Sequence, residues 1–223
     1  MIITVVGSAN MDMVVNAPRL PIIGESIHGG GFFLSPGGKG ANQAVACAKM
    51  GAQTYIAGRV GNDIFGGALR DSLNSHGVNT KYLKTSDTAT GVAMITIVDG
   101  NNAIVLDAGS NMTLSPESVH EFEGLLLESS AVLLQLEIPV ETIKKVIDLC
   151  KGKTLVFFDP APVVKIDLSM LDGVDFFIPN EHEAPFYNSI PVHNIEGAFS
   201  SLDAFRKMGV KYPVITLGEN GAV

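Results

Sequence analysis

The chain has 223 residues, 46% of them hydrophobic, and carries 15 Lys and Arg against 23 Asp and Glu, a formal charge of −8. Folded chains of this size bury roughly 70% of their unfolded surface, so a packed core is expected, and a disordered tail or coiled coil is excluded. The acidic balance, with no run of Lys or Arg, argues against a nucleic-acid or membrane-surface partner, because both require a concentrated positive face. The expected ligand is a small molecule.

The N-terminal run Met1 to Val15 has no basic n-region and no apolar stretch near the roughly 20 residues that cross a bilayer, so a cytoplasmic protein is expected. Apolar, β-prone runs at Ile2 to Val6, Gln53 to Ala57, Ala131 to Leu136 and Thr154 to Phe158 alternate with amphipathic stretches at Ala44 to Met50, Ile64 to Leu73, Ser115 to Leu127 and Val140 to Leu149. That alternation predicts βαβ units around a parallel sheet, an α/β fold in one domain over residues 1–223. Ser115-Pro116-Glu117 predicts an N-cap and an N1 proline for the third helix. Phe176 to Pro179 and Val214 to Leu217 read as two further strands, and ligands of such sheets gather at the C-terminal strand ends. Cys47 and Cys150 have no metal or redox spacing and are expected as buried, inert thiols.

Two segments interrupt the alternation. Met11 to Val15 with His28 to Leu34, and Val92 to Val98 with Ala103 to Leu106, read as strand pairs without a helix between them, the second around an Asp99-Gly100-Asn101-Asn102 turn. They fit either extra edge strands or a small sheet projecting over a site as a lid, formed by insertions near 11–17, 28–34 and 91–107.

The run Ser35-Pro36-Gly37-Gly38-Lys39-Gly40-Ala41-Asn42-Gln43-Ala44 is the most informative. Glycines at 37, 38 and 40 are expected to let the backbone approach a ligand closely, and the helix that follows to offer free N–H groups and its positive dipole end to an oxygen-rich substrate. It is not a P-loop, because Phe33 stands where the first glycine would be and Gly40 where Ser or Thr would be. The dinucleotide fingerprint also fails after Gly7, since Ala9 and Asp12 occupy its later glycine positions. Asn10 and Asp12 follow the first strand with period-2 spacing, which suits paired hydrogen bonds to adjacent hydroxyls but equally an Asx-turn.

Taken together, Asn10-x-Asp12, the Gly37 to Ala46 run and Gln135-Leu136-Glu137 resemble the ribokinase-like, or PfkB, family of sugar kinases. Leu20-Pro21 with Gly24-Glu25-Ser26, Thr90-Gly91-Val92-Ala93, Ala108-Gly109-Ser110-Asn111, Pro179-Asn180-Glu181-His182-Glu183 and Thr216-Leu217-Gly218 extend the likeness from near residue 3 to the last residue. The resemblance implies a three-layer sandwich with a mostly parallel central sheet and a small β lid. It also implies ATP-dependent phosphorylation of D-ribose at O5 with Mg2+, and a homodimer formed through the lids. By the same resemblance Asn10, Met11, Asp12, Gly38, Lys39, Gly40, Ala41, Asn42 and Glu137 line the sugar site. Asn180, Thr216, Gly218 and Gly221 contact the nucleotide, and Glu183 organises the magnesium through water. Read alone, Asn180 is a helix N-cap and Glu183 a solvated helix residue.

Members of that family carry a later Asp-Thr-x-x-Ala-Gly-Asp-like segment whose final aspartate is the catalytic base, and no such segment stands within the 223 residues. The base, the anion hole and a K+ site are therefore expected beyond Val223, and these residues by themselves are expected to be inactive. The alternatives are a kinase for another sugar or nucleoside of the family, or a non-catalytic sugar-binding fragment.

Overall fold

A computed structural model describes residues 1–223. Its centre is β1 (Ile2–Val6), which pairs in parallel with β4 (Gln53–Gly61) on one side and β8 (Ala131–Leu134) on the other. The sheet extends past β4 to β5 (Asn79–Ser86), and past β8 to β9 (Leu155–Phe158), β10 (Phe176–Phe177) and β11 (Tyr212–Pro213), seven strands in all. β1 reads as an unbroken apolar run because both of its faces are covered. Successive side chains point to opposite faces, so Val5 packs beneath α1 (Lys39–Lys49) and α2 (Ile64–Ser75) while its neighbour Val6 enters the larger core on the other side. That second core is closed by α3 (Glu123–Glu128), α4 (Val140–Cys150), α5 (Ala184–Asn188) and α6 (Ile195–Lys207). Within it Phe177 is fully buried, with its ring 4.9 Å from Phe205 and 5.6 Å from Phe158.

A separate four-stranded sheet runs β3 (Gly30–Gly37), β2 (Asn10–Asn16), β6 (Gly91–Val98), β7 (Asn101–Asp107). The two expected strand pairs are therefore one sheet, joined by parallel pairing of β2 with β6 from Asn10↔Gly91 to Asn16↔Ile97. The β6–β7 turn is tighter than expected, because Asp99 (φ 49°) and Gly100 (φ 78°) both take positive φ and Val98 pairs directly with Asn101. This is the two-residue hairpin that matches the strand twist. Phe32, Phe33, Leu34, Ile104 and Val105 stand exposed on this sheet.

Other expectations are corrected. Ser115 to Leu127 is not one helix but a 3₁₀ turn over Pro116–Glu121 followed by α3, and Ser115 makes no cap hydrogen bond. The break falls at Phe122 (φ −133°, ψ 13°), whose ring is held in the core, so packing overrides the local helical signal. α1 begins at Lys39, five residues before the apolar periodicity, because the glycine-rich run supplies its first turn. The last two strands are only two residues each, and Thr216 reaches the sheet through single bridges to Asn180 and Ala222. Cys150 is buried and its thiol is pushed up to about 11 by burial, whereas Cys47 is only half-buried. No helix is long and apolar enough to cross a membrane.

Replacing Phe177 by Ala removes a ring packed by three aromatic neighbours, Phe158, Tyr187 and Phe205. The expected loss is about 3–5 kcal/mol in urea unfolding, against less than about 0.5 kcal/mol for Met50→Ala on the surface.

Candidate functional site

The chain leaves β1 towards β4 and β5 on one side and reaches β8 to β11 on the other, so the order of strands reverses between β1 and β8. Crevices outside the carboxyl ends of such strands are where open α/β sheets bind ligands. Here the turn after β1 supplies Ser8, the start of β2 supplies Asn10 and Asp12, the segment after β8 supplies Gln135 and Glu137, and Asp159 follows β9. Asn180 and Thr216, paired in a bridge, close the row beyond β10 and β11.

Glu137 ties these elements together. Its Oε2 accepts from the Ser8 hydroxyl, from Asn10 Nδ2 at 3.3 Å and from the Lys39 N–H at 3.0 Å. The Gly40 N–H donates to Ser8 Oγ at 3.3 Å and the Ala41 N–H to Ser8 O at 2.8 Å. The first-turn N–H groups of α1 are thus already satisfied within the chain, contrary to the expectation that they stand free for a ligand. The carboxylate of Glu137 takes the place of an anion at the helix N-terminus, and its Oε1 accepts no protein hydrogen bond. Close approach makes this possible. Gly38 has φ 94° and a Cβ there would lie 2.7 Å from the Asn10 nitrogen, while one on Gly40 would lie 2.6 Å from the Ser8 nitrogen.

Asp12 lies over the Cα of Gly37, makes no hydrogen bond with the chain, and has its pKa raised by burial and by the charge of Glu137. Two acceptors without a cation between them suit neutral donors such as hydroxyls. Met11 and Ala41, expected near the ligand, instead place their side chains in the core beneath α1, so they reach a ligand through backbone alone. Asn42 is exposed on α1, where it lines a groove of about 300 Å³ with Ser35, the strand partner of Asp12, and with Pro36, Leu69 and Leu73.

Lys39 faces a second cleft, about 340 Å³, with Gln43, Asp159, Asn180, Glu183 and Thr216. Its ammonium is in no ion pair. Asn180 and Glu183 form a reciprocal cap: Asn180 Oδ1 accepts from the N–H groups of His182 and Glu183, and the Asn180 N–H donates to Glu183 Oε2 at 2.9 Å. Asn180 is thus a cap, as its residue type suggests, and Glu183 is a half-buried member of the same cap rather than a solvated helix residue, with Oε1 left over. Gly218 and Gly221 take φ 55° and 85° in an exposed turn, beside a hollow of about 580 Å³ lined by Val192, His193, Leu217 and Asn220. Five residues of the site have no role assigned from the sequence: Ser8, Gln43, Asn111, Gln135 and Asp159. Only the place of Asp159 at a C-terminal strand end could have marked it. Gln135 Nε2 donates to Gln43 Oε1 at 2.6 Å and Gln43 Nε2 to Asp159 at 3.4 Å, a chain of amides linking the two clefts.

This arrangement, a parallel sheet with a polar row at its carboxyl edge and a small sheet beside it, is shared with known proteins. The pfkB family carbohydrate kinase model matches residues 2–223, and the chain belongs to that family. It is 38% identical to a ribokinase of Bacillus subtilis over 184 residues, which is 82% of this chain and 63% of the relative, less than two thirds of the relative's length. It is 35% identical to a ribokinase of Lactococcus lactis, covering 99% of this chain and 71% of the relative, and 34% identical to a deoxyribokinase of Salmonella typhi, covering 99% and 74%. Among solved structures, Arabidopsis thaliana ribokinase complexed with ribose and ATP superposes with TM-score 0.92 at 33% identity, covering 99% of this chain and 73% of that one. The fold is that of the ribokinase-like kinases.

The carboxyl of Asp159 is pushed up to about 6, chiefly by burial, with Lys39 opposing and Glu183 and Glu137 adding to the rise. A folded-state value above the unfolded one means that the charged form opposes folding. That cost is absent below about pH 4, grows through the range up to about 6 and is complete above it. In metal-free buffer Asp159→Asn should therefore exceed the parent by about 1–2 kcal/mol at pH 7.5, allowing for partial exposure, and match it at pH 4 in urea unfolding.

Proposed function

We propose that this chain is the sugar- and phosphate-binding part of an ATP-dependent pentose kinase that phosphorylates D-ribose at O5. The observation that carries the reading is an Asp12 carboxylate without a hydrogen bond to the chain, close enough to Glu137 to feel its charge, beside a Glu137 whose Oε1 accepts no hydrogen bond. Neighbouring ribose hydroxyls would donate to these oxygens, with Asn10 and the Gly38–Lys39 backbone beside them. Losing one such partner in a buried site costs about 1–3 kcal/mol. The likeness to proteins named ribokinase supports ribose; the Salmonella relative named deoxyribokinase makes 2-deoxyribose the first competitor to test.

In the adjoining cleft Lys39 is the one cation aimed at a phosphate chain, and Thr216 with the Gly218 to Gly221 turn lies where the nucleotide would enter. Magnesium takes one or two carboxylates, several waters and the substrate phosphates. The donors present fit that description. Asp159 and Glu183 line the cleft, yet no three acidic, His or Cys side chains converge to hold an ion unaided. Those two carboxylates would hold the hydrated ion, which would offset phosphate charge during transfer.

The residue that takes the proton from the sugar hydroxyl has no counterpart among residues 1–223 in this reading, so the polypeptide of these residues binds sugar without turning it over. We also propose that the small sheet acts as a lid and pairs with that of a second copy, because Leu34, Met94 and Val105, which share one face of it, stand exposed. A monomer in sedimentation at micromolar concentration would remove the pairing. Two free cysteines and the ATP requirement are in keeping with the cytoplasm.

Calorimetry with D-ribose, run beside an ADP-release assay on the same protein of verified mass, tests the reading. Saturable binding without ADP is expected, and Asp12→Ala should weaken it by about 10-fold to 100-fold. Ribose affinity unchanged by Asp12→Ala would sink the site assignment, and ribose-dependent ADP from the 223 residues would refute the placement of the base.

A further inference from the structure

The run Ala108-Gly109-Ser110-Asn111 has no part in the function described so far, yet its last residue is among the most constrained in the molecule. Asn111 sits in a 3₁₀ turn, Gly109–Thr113, directly after β7 leaves the small sheet, and its side chain is fully buried. Its Oδ1 accepts from the Ala9 N–H at 3.0 Å. Its Nδ2 donates to Asn10 Oδ1 at 2.7 Å and to Ala108 O at 2.8 Å, with Ala9 O at 3.4 Å.

Only one orientation of this amide is possible. Turned over, it would set its NH2 against the Ala9 N–H and its oxygen against two carbonyl oxygens, a double mismatch in a site closed to water. Because Asn111 presents a donor, Asn10 must answer with Oδ1, and the Asn10 NH2 is thereby turned towards Glu137. The polarity runs without a break from the backbone of Ala9 through two amides to the carboxylate. Gly91, the first residue of β6, seals the pair, since a Cβ there would collide with both amides and with Ala108 O.

We infer that Asn111 is a positioning residue for the sugar site: by donating to Asn10 Oδ1 it fixes which face of the Asn10 carboxamide the ligand meets. This rests on the pentose-site reading above and assigns a role that neither the motif nor the family match supplies. Asn111→Asp is nearly isosteric and, when ionised, offers Asn10 only acceptors, so Asn10 turns over and its oxygen meets Glu137 and the sugar, while the new oxygen set against Ala108 O lowers stability.

The test is a double-mutant cycle in ribose affinity by calorimetry, using the parent, Asn10→Ala, Asn111→Asp and the pair, with Tm recorded for each. Asn111→Asp should weaken ribose binding by about 10-fold or more. In the Asn10→Ala background it should change the dissociation constant less than about 2-fold while still lowering Tm, because the effect on the sugar travels through Asn10. A purely structural role would give additive losses or none, and either result overturns the inference. Parent protein that binds neither ribose nor 2-deoxyribose overturns the pentose reading and this inference with it. Should Asn111→Asp fail to fold, the side-chain NH2 signals of the parent decide. Asn10 signals that shift on ribose addition, beside an Asn111 pair protected from solvent exchange with and without sugar, support the role, and fast-exchanging Asn111 protons refute it.

Discussion

A single carboxylate at the N-terminus of α1 organises the carboxyl edge of this molecule. Glu137 stands at the end of β8, yet it answers the N–H of Lys39, the hydroxyl of Ser8 and the amide of Asn10. Helix N-termini attract anions through unsatisfied N–H groups and the macrodipole. Here the anion belongs to the chain, so the helix, the end of β1 and the end of β8 are drawn to one point. Everything assigned to ligand binding is positioned relative to that point. Asp12 is carried two residues beyond Asn10 on the same strand face, and Lys39 follows as the first residue of the helix whose N-terminus Glu137 holds.

The glycines make the convergence sterically possible. Gly38 and Gly40 bring the start of α1 against the backbone of residues 7 to 10, where any Cβ would overlap main-chain atoms. Gly91 performs the same service on the other flank, letting the root of β6 rest on Asn10 and Asn111. The small sheet is consequently anchored by polar contacts at its base, while Leu34, Met94 and Val105 stand exposed further along it. Beneath the site, the continuous apolar strands hold the edge rigid, with helices packed on both faces of the sheet.

Much of this was legible before any coordinates. β1, β4, α2, α4 and β9 fall close to where apolar periodicity places them, because periodicity records burial on one face or two. The glycine-rich run suggests close approach to a ligand, whereas Gly38 and Gly40 are needed for the approach of the chain to its own backbone at residues 7 to 10. Its N–H groups were misread as free, since nothing near Lys39 in the chain shows that Glu137 comes to meet them. Phe122 broke a helix whose local signals were sound, and the terminal strands shrank to two residues each. Met11 and Ala41 turn their side chains into the core, while Asn42 lines a groove beside Ser35.

Taken by itself, the sequence determined the alternation of strands and helices, the need for glycine at particular turns and the ordered motifs that place the chain among the carbohydrate kinases. These are local properties, carried by residues a few positions apart. The tertiary structure alone decided which donors meet which acceptors at the site. Ser8 and Glu137 are 129 residues apart in the chain, and Ala9 and Asn111 are 102 apart. Contacts of that range depend on how the sheet orders its strands, and so do the desolvation that raises Asp159 and the polarity that orients Asn10. Neither leaves a pattern in the neighbouring residues, because burial and hydrogen-bond direction arise only when distant segments are brought together.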